Sequence, residues 1–304
     1  MIIETVNLTK KVKSKVILEN VNIKINSKGI YGIIGHNGAG KTTLFKLLAG
    51  LIRPTNGEII LHDECQEFGH PRTVPLVYLV DVPNQFEWMT VLESMKFYAS
   101  IVGLTKEVAA EKIEYYLNYV ELKDYTKKVG KLSRGMRQKL GIAQALLSNA
   151  DIFLLDEPTS ALEPAARKEV LELLQKVSHE KTICVSSHIL HDLERICDHI
   201  ILLNQGTVVL QDSKKNVLEL YIDNRIQIEL FHEEDGEKLC NGLDKILGVD
   251  RIEKYTGLRY IVKTQSNDQI RLQILKFIVD QNIDIVSFQP YSVSLEDIYL
   301  RKVL

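Results

Sequence analysis

Gly35-His36-Asn37-Gly38-Ala39-Gly40-Lys41-Thr42 satisfies the pattern G-x-x-x-x-G-K-[ST] at every specified position. The flanks suit it. Gly29-Ile30-Tyr31-Gly32-Ile33-Ile34 is short and mostly apolar and reads as a buried strand, while Thr43-Leu44-Phe45-Lys46-Leu47-Leu48-Ala49 reads as the opening of a helix. Glycines free the loop backbone to wrap a polyphosphate, so that its N–H groups and the helix N-terminus face the negative charge. Gly35, Asn37, Gly38, Gly40 and Thr43 belong to that wrap. Lys41 is expected to reach the β- and γ-phosphates, and the Thr42 hydroxyl to ligate Mg²⁺. The plain alternative is a glycine-rich turn before an ordinary helix. Strand, loop, lysine and helix arriving in this order argue against it.

At 304 residues the chain is long for a single core, and two domains are expected. Hydrophobic residues make up 45% and charged ones 26%, as in ordinary globular proteins. A net charge of −2 leaves no electrostatic footprint for nucleic acid or an anionic membrane, so neither is expected as a direct partner. No apolar run approaches the roughly 20 residues that span a bilayer, and the first residues lack the pattern of a secretion signal. Cys65, Cys184, Cys197 and Cys240 are scattered without C-x-x-C spacing, which suits reduced thiols better than a disulfide frame or a zinc site. A cytoplasmic chain is expected, one that could serve a membrane only through a partner.

Alternating apolar and polar positions in the first 30 residues predict antiparallel strands. Strands follow at 58–61 and 76–80, then a helical stretch from about 88 to 148. Thr90-Val91-Leu92-Glu93 is a capping box at its start. Beyond it lie a buried strand at 152–155, a helix at about 164–177, a strand at 182–186 and a hairpin about Asn204-Gln205-Gly206. Such alternation predicts an α/β fold with a mostly parallel sheet covered on both faces. From about Tyr221 the order changes to βαββαβ, with helices at 236–247 and 268–282. That predicts a small ferredoxin-like α+β domain over 221–304, beside a nucleotide-binding domain over 1–220.

Three further features narrow the chemistry. Leu132-Ser133-Arg134-Gly135-Met136-Arg137-Gln138 opens a long helix, Ile152-Phe153-Leu154-Leu155-Asp156-Glu157-Pro158 is a buried strand ending in two carboxylates, and Val185-Ser186-Ser187-His188 is a strand ending in histidine. With these in place the chain resembles the nucleotide-binding subunit of ATP-binding cassette (ABC) transporters over residues 2 to about 220. The family's L-S-G-G-Q signature is Leu-Ser-Arg-Gly-Met here, keeping Ser133 and Gly135, and its S-G-L-D-P loop is Ser160-Ala161-Leu162-Glu163-Pro164.

The resemblance implies an ATPase using ATP and Mg²⁺. Asp156 would hold the metal together with Thr42. Glu157, one position further out, would polarise the attacking water, and His188 would hydrogen-bond the γ-phosphate. Ser133 suits a helix N-cap with no further role, yet in the family that helix start closes over the γ-phosphate held by an opposite subunit. Two cassettes are therefore implied, as a homodimer or with a paralogue, together with a separate transmembrane permease.

Two positions depart from the family. Val12 stands where an aromatic residue usually stacks on adenine, leaving base contact to another residue such as Val16. Asp81 stands where a glutamine usually touches Mg²⁺ and the membrane partner, with Gln85 four residues on as the competing candidate. Asp81 can ligate the metal but adds negative charge beside a phosphate. It is expected to do so only while the permease positions its loop. The C-terminal Ser294-Leu295-Glu296-Asp297-Ile298-Tyr299-Leu300 is similar to the ending of bacterial exporter cassettes, which sit at the inner membrane face through their permease. The alternative reading is a regulatory or degenerate cassette that does not itself drive transport.

Overall fold

β1 (Ile3–Val12) and β2 (Lys15–Ile25) form an antiparallel hairpin closed by the Val12–Lys15 pairing. β3 (Gly29–Ile34) follows, buried at all six positions, and leads through the glycine loop into α1 (Lys41–Leu48). The structure is a computed structural model that describes residues 3–61, 64–65, 76–81, 85–220, 224–265, 268–291 and 293–303. The loop following Asp81, the boundary at Tyr221, Ser292 just before the C-terminal motif and the side chain of Cys65 lie outside the described residues.

β4 (Asn56–Leu61), β5 (Glu64–Cys65) and β6 (Leu76–Leu79) precede the helical segment of α2 (Val91–Ile101), α3 (Lys106–Tyr119) and α4 (Arg134–Leu147). Then come β7 (Ile152–Asp156), α5 (Pro164–Ser178), β8 (Thr182–Ser187), α6 (Leu190–Ile196), β9 (His199–Asn204), β10 (Thr207–Ser213) and α7 (Lys214–Leu220). The capping box at α2 forms as the residues dictate: the Thr90 hydroxyl accepts from the Glu93 N–H, and the Glu93 carboxylate accepts from the Thr90 N–H at 2.7 Å.

Two sheets share this part of the chain. One is antiparallel in the order β2-β1-β4-β5. The other runs β10-β9-β3-β8-β7-β6, with every pair parallel except β9–β10. Its central strands are mostly apolar and buried at every position, as strands covered on both faces require. Phe45, Leu44 and Leu48 of α1 pack with Ile33, Leu154 and Ile201 in the main core. The register sets Asp156 beside Ser186 and Ile34 beside Ser187, so β3, β7 and β8 end level with one another. Loops leaving the carboxyl ends of adjacent parallel strands therefore converge, and ligands of open α/β sheets bind there.

The chain divides into two compact units, Met1–Val217 with Tyr299–Leu304, and Leu218–Ile298. The second holds β11 (Arg225–Leu230), α8 (Asp235–Leu243), β12 (Val249–Lys254), β13 (Arg259–Thr264), α9 (Asp268–Asp280) and β14 (Ile285–Pro290), and α10 (Leu295–Val303) ends the chain. The element order is βαββαβ, and the sheet is antiparallel throughout in the order β12-β13-β11-β14. Burial alternates along β11, which sends Ile226, Ile228 and Leu230 into a core with Leu239, Ile274 and Ile278. A Cβ on Gly242 would fall 1.8 Å from the tip of the Phe277 ring, so this ring packs in the space that the glycine leaves open. α8 ends at Leu243, short of the predicted 247, and Gly248 follows at φ +98°, a left-handed conformation that does not continue a helix.

Among the described residues no helix is long and apolar enough to cross a membrane. Burial pushes the Cys184 thiol up to about 12 and raises that of Cys197 as well. Both therefore stay protonated and enclosed near neutral pH. Iodoacetamide is expected to leave both unmodified in the folded chain. Mass spectrometry reads this directly, and rapid labelling of either would contradict their burial.

Candidate active site

The turn from β3 into α1 is built on two glycines that cannot be replaced without displacement. A Cβ on Gly40, at φ +108°, would sit 2.6 Å from the Leu18 side chain, and one on Gly35 would sit 2.5 Å from the Leu203 carbonyl oxygen. No side chain caps α1 and no acidic residue occupies its first turn, so its leading N–H groups and dipole are left for an anion. Lys41 is folded over this cradle. Its buried Nζ donates to the Gly35 carbonyl at 2.7 Å and to that of His36 at 3.4 Å.

Glu157 joins Lys41 to the next strands. Its Oε1 lies 3.5 Å from Lys41 Nζ, and its Oε2 lies 2.7 Å from His188 Nδ1 and accepts from the His188 N–H at 3.4 Å. The residue sits at φ +52°, an unfavourable conformation for a side chain. Its N–H holds the turn by donating to the Ser186 carbonyl at 3.1 Å and hydroxyl at 3.0 Å. Thr159 secures the following loop by donating to buried Asp192 at 2.9 Å. The strained turn directs Glu157 outward while the preceding Asp156 stays inside.

Asp156 is buried and accepts two hydrogen bonds, from the Ser186 hydroxyl at 2.6 Å and the Tyr78 hydroxyl at 3.1 Å. Burial, then the neighbouring Asp156 charge, raises the Tyr78 phenol well above its ordinary value, so it remains a donor. Each Asp156 oxygen keeps further acceptor capacity. Hydroxyl and carboxylate oxygens are the donors that Mg²⁺ prefers. Among the described residues there is no cluster of three or more metal-binding side chains. A metal here would thus take its remaining ligands from phosphate and water, as Mg²⁺ commonly does. On both counts the residues fit the ion.

These groups surround a cavity of about 470 Å³. Its wall takes Asn37, Gly38, Gly40, Lys41, Thr42 and Thr43 from the loop and α1, and Asp81, Glu157 and His188 from the ends of β6, β7 and β8. Gly35 and Asp156 lie behind the wall rather than in it, and Ser133 and Gly135 are not part of it. Ser133 caps α4, its hydroxyl accepting from the Met136 N–H at 3.2 Å. Gly135 is buried, and a Cβ there would fall 2.8 Å from that of Ala166.

Four wall residues had no role expected of them from the sequence: Lys15 and Ile17, and His36 and Ser160, which lie within the phosphate loop and the Ser160–Pro164 loop. Val12 and Val16 are exposed and outside the wall. Lys15 and Ile17 flank Val16 in β2, where the pairing with β1 shifts at Ile17, from Lys10 opposite Leu18 to Lys11 opposite Val16, so simple alternation did not show which of them would line the cavity. Asp81 reaches the cavity, as its register at the end of β6 implies, but its carboxylate is not free. Oδ1 lies 2.6 Å from Arg134 Nη2. The competing Gln85 instead donates to the Arg137 carbonyl at 3.3 Å and to Gln144 at 3.4 Å, both on α4.

A glycine cradle with its lysine, a strand-end Asp-Glu pair and a strand-end histidine, all at one edge of a parallel sheet, define a P-loop ATPase of the cassette type. Residues 18–160 match the ABC transporter family. The bacitracin transport ATP-binding protein of Bacillus licheniformis is 32% identical, the match covering 99% of this chain and 97% of that protein. The lantibiotic transport ATP-binding protein of Streptococcus pyogenes is 34% identical over 73% of this chain and 96% of its own. Among solved structures, a bacterial ABC transporter cassette in dimeric form is 27% identical, covering 70% of this chain and 98% of that one at a TM-score of 0.63. A dimeric post-hydrolysis cassette bound to ADP and Pi is 26% identical over 70% and 98% of the two chains, at a TM-score of 0.61. The chain belongs to the ABC transporter ATP-binding family, and it is an ATP-binding ATPase.

Proposed function

We propose that this chain is the ATP-hydrolysing motor subunit of a bacterial export system and drives a separate transmembrane permease. The observation that carries the reading is the linkage of Lys41, Glu157 and His188 through one carboxylate on the wall of a glycine-cradled cavity. Residues 1–220 serve as the ATPase domain, with residues of about 88–148 as its helical part, and 221–304 form an accessory domain.

The roles follow from the placement. Gly35, Asn37, Gly38, Gly40 and Thr43 shape the cradle, and Lys41 exchanges the Gly35 carbonyl for phosphate oxygens. Thr42 and Asp156 would hold Mg²⁺, which offsets phosphate charge and polarises the terminal phosphorus. Glu157 takes the proton of a water aligned on that phosphorus, and His188 holds the carboxylate in place while presenting its remaining edge to the phosphate. Asp81 could join the metal only by leaving Arg134. Ser133 and Gly135 belong to the cavity of a second subunit, which matches their absence from this one. A second cassette, identical or paralogous, completes each site.

Docking to the permease falls on an aromatic surface near the start of α2. Phe86, Trp88 and Phe97 are substantially exposed, and Phe86 stands 5.9 Å from Trp88 and 5.4 Å from Phe97 between ring centroids. Exposed apolar clusters of this kind suit a partner helix. Through it the chain would sit peripherally at the inner face of the membrane. Trp88 is 67% exposed, which leaves little core role for it. Trp88→Glu is accordingly expected to abolish co-purification with the permease while ATP binding and thermal stability persist. Retained co-purification would move the docking surface elsewhere, and loss of folding would assign Trp88 to the core.

A further inference from the structure

Asp81 and Arg134 lie 53 residues apart in the chain, yet their side chains meet at 2.6 Å. Asp81 stands in the cavity wall just beyond β6, and Arg134 is the first residue of α4, directly after its N-cap Ser133. A second bond supports the first. Gln138, one turn along α4 and 2% exposed, donates Nε2 to the Asp81 carbonyl oxygen at 2.6 Å. α4 therefore grips Asp81 twice, by its main chain and by its carboxylate.

The two grips differ in character. The Gln138 bond ends on a buried side chain. The ion pair is open to solvent, the Arg134 and Asp81 side chains being 33% and 45% exposed. A pair so exposed contributes little to folding stability and is readily exchanged for another partner. Its larger consequence is for charge in the cavity. Lys41, the α1 N-terminus and Thr42 are arranged there for a polyphosphate, and an unpaired Asp81 carboxylate would repel that ligand.

We propose that Arg134 is a positioning residue for nucleotide entry. It holds the Asp81 carboxylate toward α4 and neutralises it, and a polyphosphate arriving with its divalent cation draws the carboxylate away. The proposal rests on reading the cavity as the ATP site. Because Gln138 pins the Asp81 main chain, the exchange needs only a side-chain rotation. Each exchange leaves the Arg134 guanidinium unpaired beside Ser133, so occupancy of one cavity is registered at the start of α4.

A double-mutant cycle on the full chain tests this, with equilibrium binding of ATP in the absence of divalent cations as the readout, so that Asp81 stays with Arg134 in the bound state and the masking alone is measured. Arg134→Gln is expected to weaken ATP binding roughly three- to tenfold, as one unmasked carboxylate near the phosphates implies. High salt should shrink the effect. In an Asp81→Asn background the same change should leave affinity within about twofold, because Arg134 then has no charge to mask. Arg134→Lys, which keeps the charge, should recover most of the loss. Equal weakening by Arg134→Gln in both backgrounds would overturn the proposal, and so would no weakening in either. Lys41→Ala in the same assay separates the two levels of the argument. If it binds ATP like the wild type, the assignment of the cavity is at fault rather than the role of Arg134.

Discussion

Glu157→Gln is expected to lower ATP turnover by about 10²- to 10⁴-fold, the usual contribution of a positioned general base, while ATP binding remains. The amide keeps the size of the carboxylate. It can still bond His188 and preserve the turn at φ +52°, which is held by main-chain contacts to Ser186 and not by the Glu157 side chain. What it loses is the capacity to take a proton. Single-turnover hydrolysis measured beside equilibrium ATP binding distinguishes this from general damage. Turnover within a few-fold of wild type would remove Glu157 from the chemistry and favour a regulatory cassette. Loss of ATP binding would point to a structural role instead.

Lys41→Ala should act on the other quantity. Hydrogen bonds to charged groups contribute about 1.5–3 kcal/mol each, so loss of the bonds from Lys41 to phosphate should weaken ATP binding at least roughly tenfold. The substitution also leaves Glu157, whose side chain is 16% exposed, without its cationic neighbour at 3.5 Å. Lys41→Arg is not expected to rescue binding. The Nζ sits in the narrow space between the Gly35 carbonyl and Glu157 Oε1, which suits a compact ammonium and not a planar guanidinium. Calorimetric titration of ATP reads both variants. Unchanged affinity in Lys41→Ala would mean that the cradle does not receive the phosphates.

The placement of the phosphate-loop residues, Glu157 and His188 around one cavity was legible because local chemistry dictates it. Gly38 and Gly40 have positive φ, which glycine alone adopts without strain, and β7 is an apolar run whose buried end leaves its two carboxylates at a turn. Thr90 with Glu93, Ser133 as an N-cap and the turn at Gln205-Gly206, both with positive φ, are equally local. Contacts that depend on strand order were not legible. Ser186 and Tyr78 reach Asp156 from 30 and 78 residues away, and only the order β8-β7-β6 brings them to it. Lys15 and Ile17 line the cavity in place of Val16 where the register between β1 and β2 shifts at Ile17, an irregularity that depends on the partner strand and not on the local sequence. α6 and α7 span seven residues each, too few to establish a helical period in the sequence. Asp81, a departure from the family, and Arg134, within the Leu-Ser-Arg-Gly-Met form of the signature, become one feature once folded.

The central claim is that a terminal phosphate is held between Lys41 of one subunit and Ser133 of another. Light scattering on the Glu157→Gln chain measures this most directly. ATP should raise the particle mass from one chain to two, ADP should not, and adding Ser133→Glu should abolish the dimer while the monomer still binds ATP. A mass indifferent to ATP, or an ATP-dependent dimer that survives Ser133→Glu, would contradict the account.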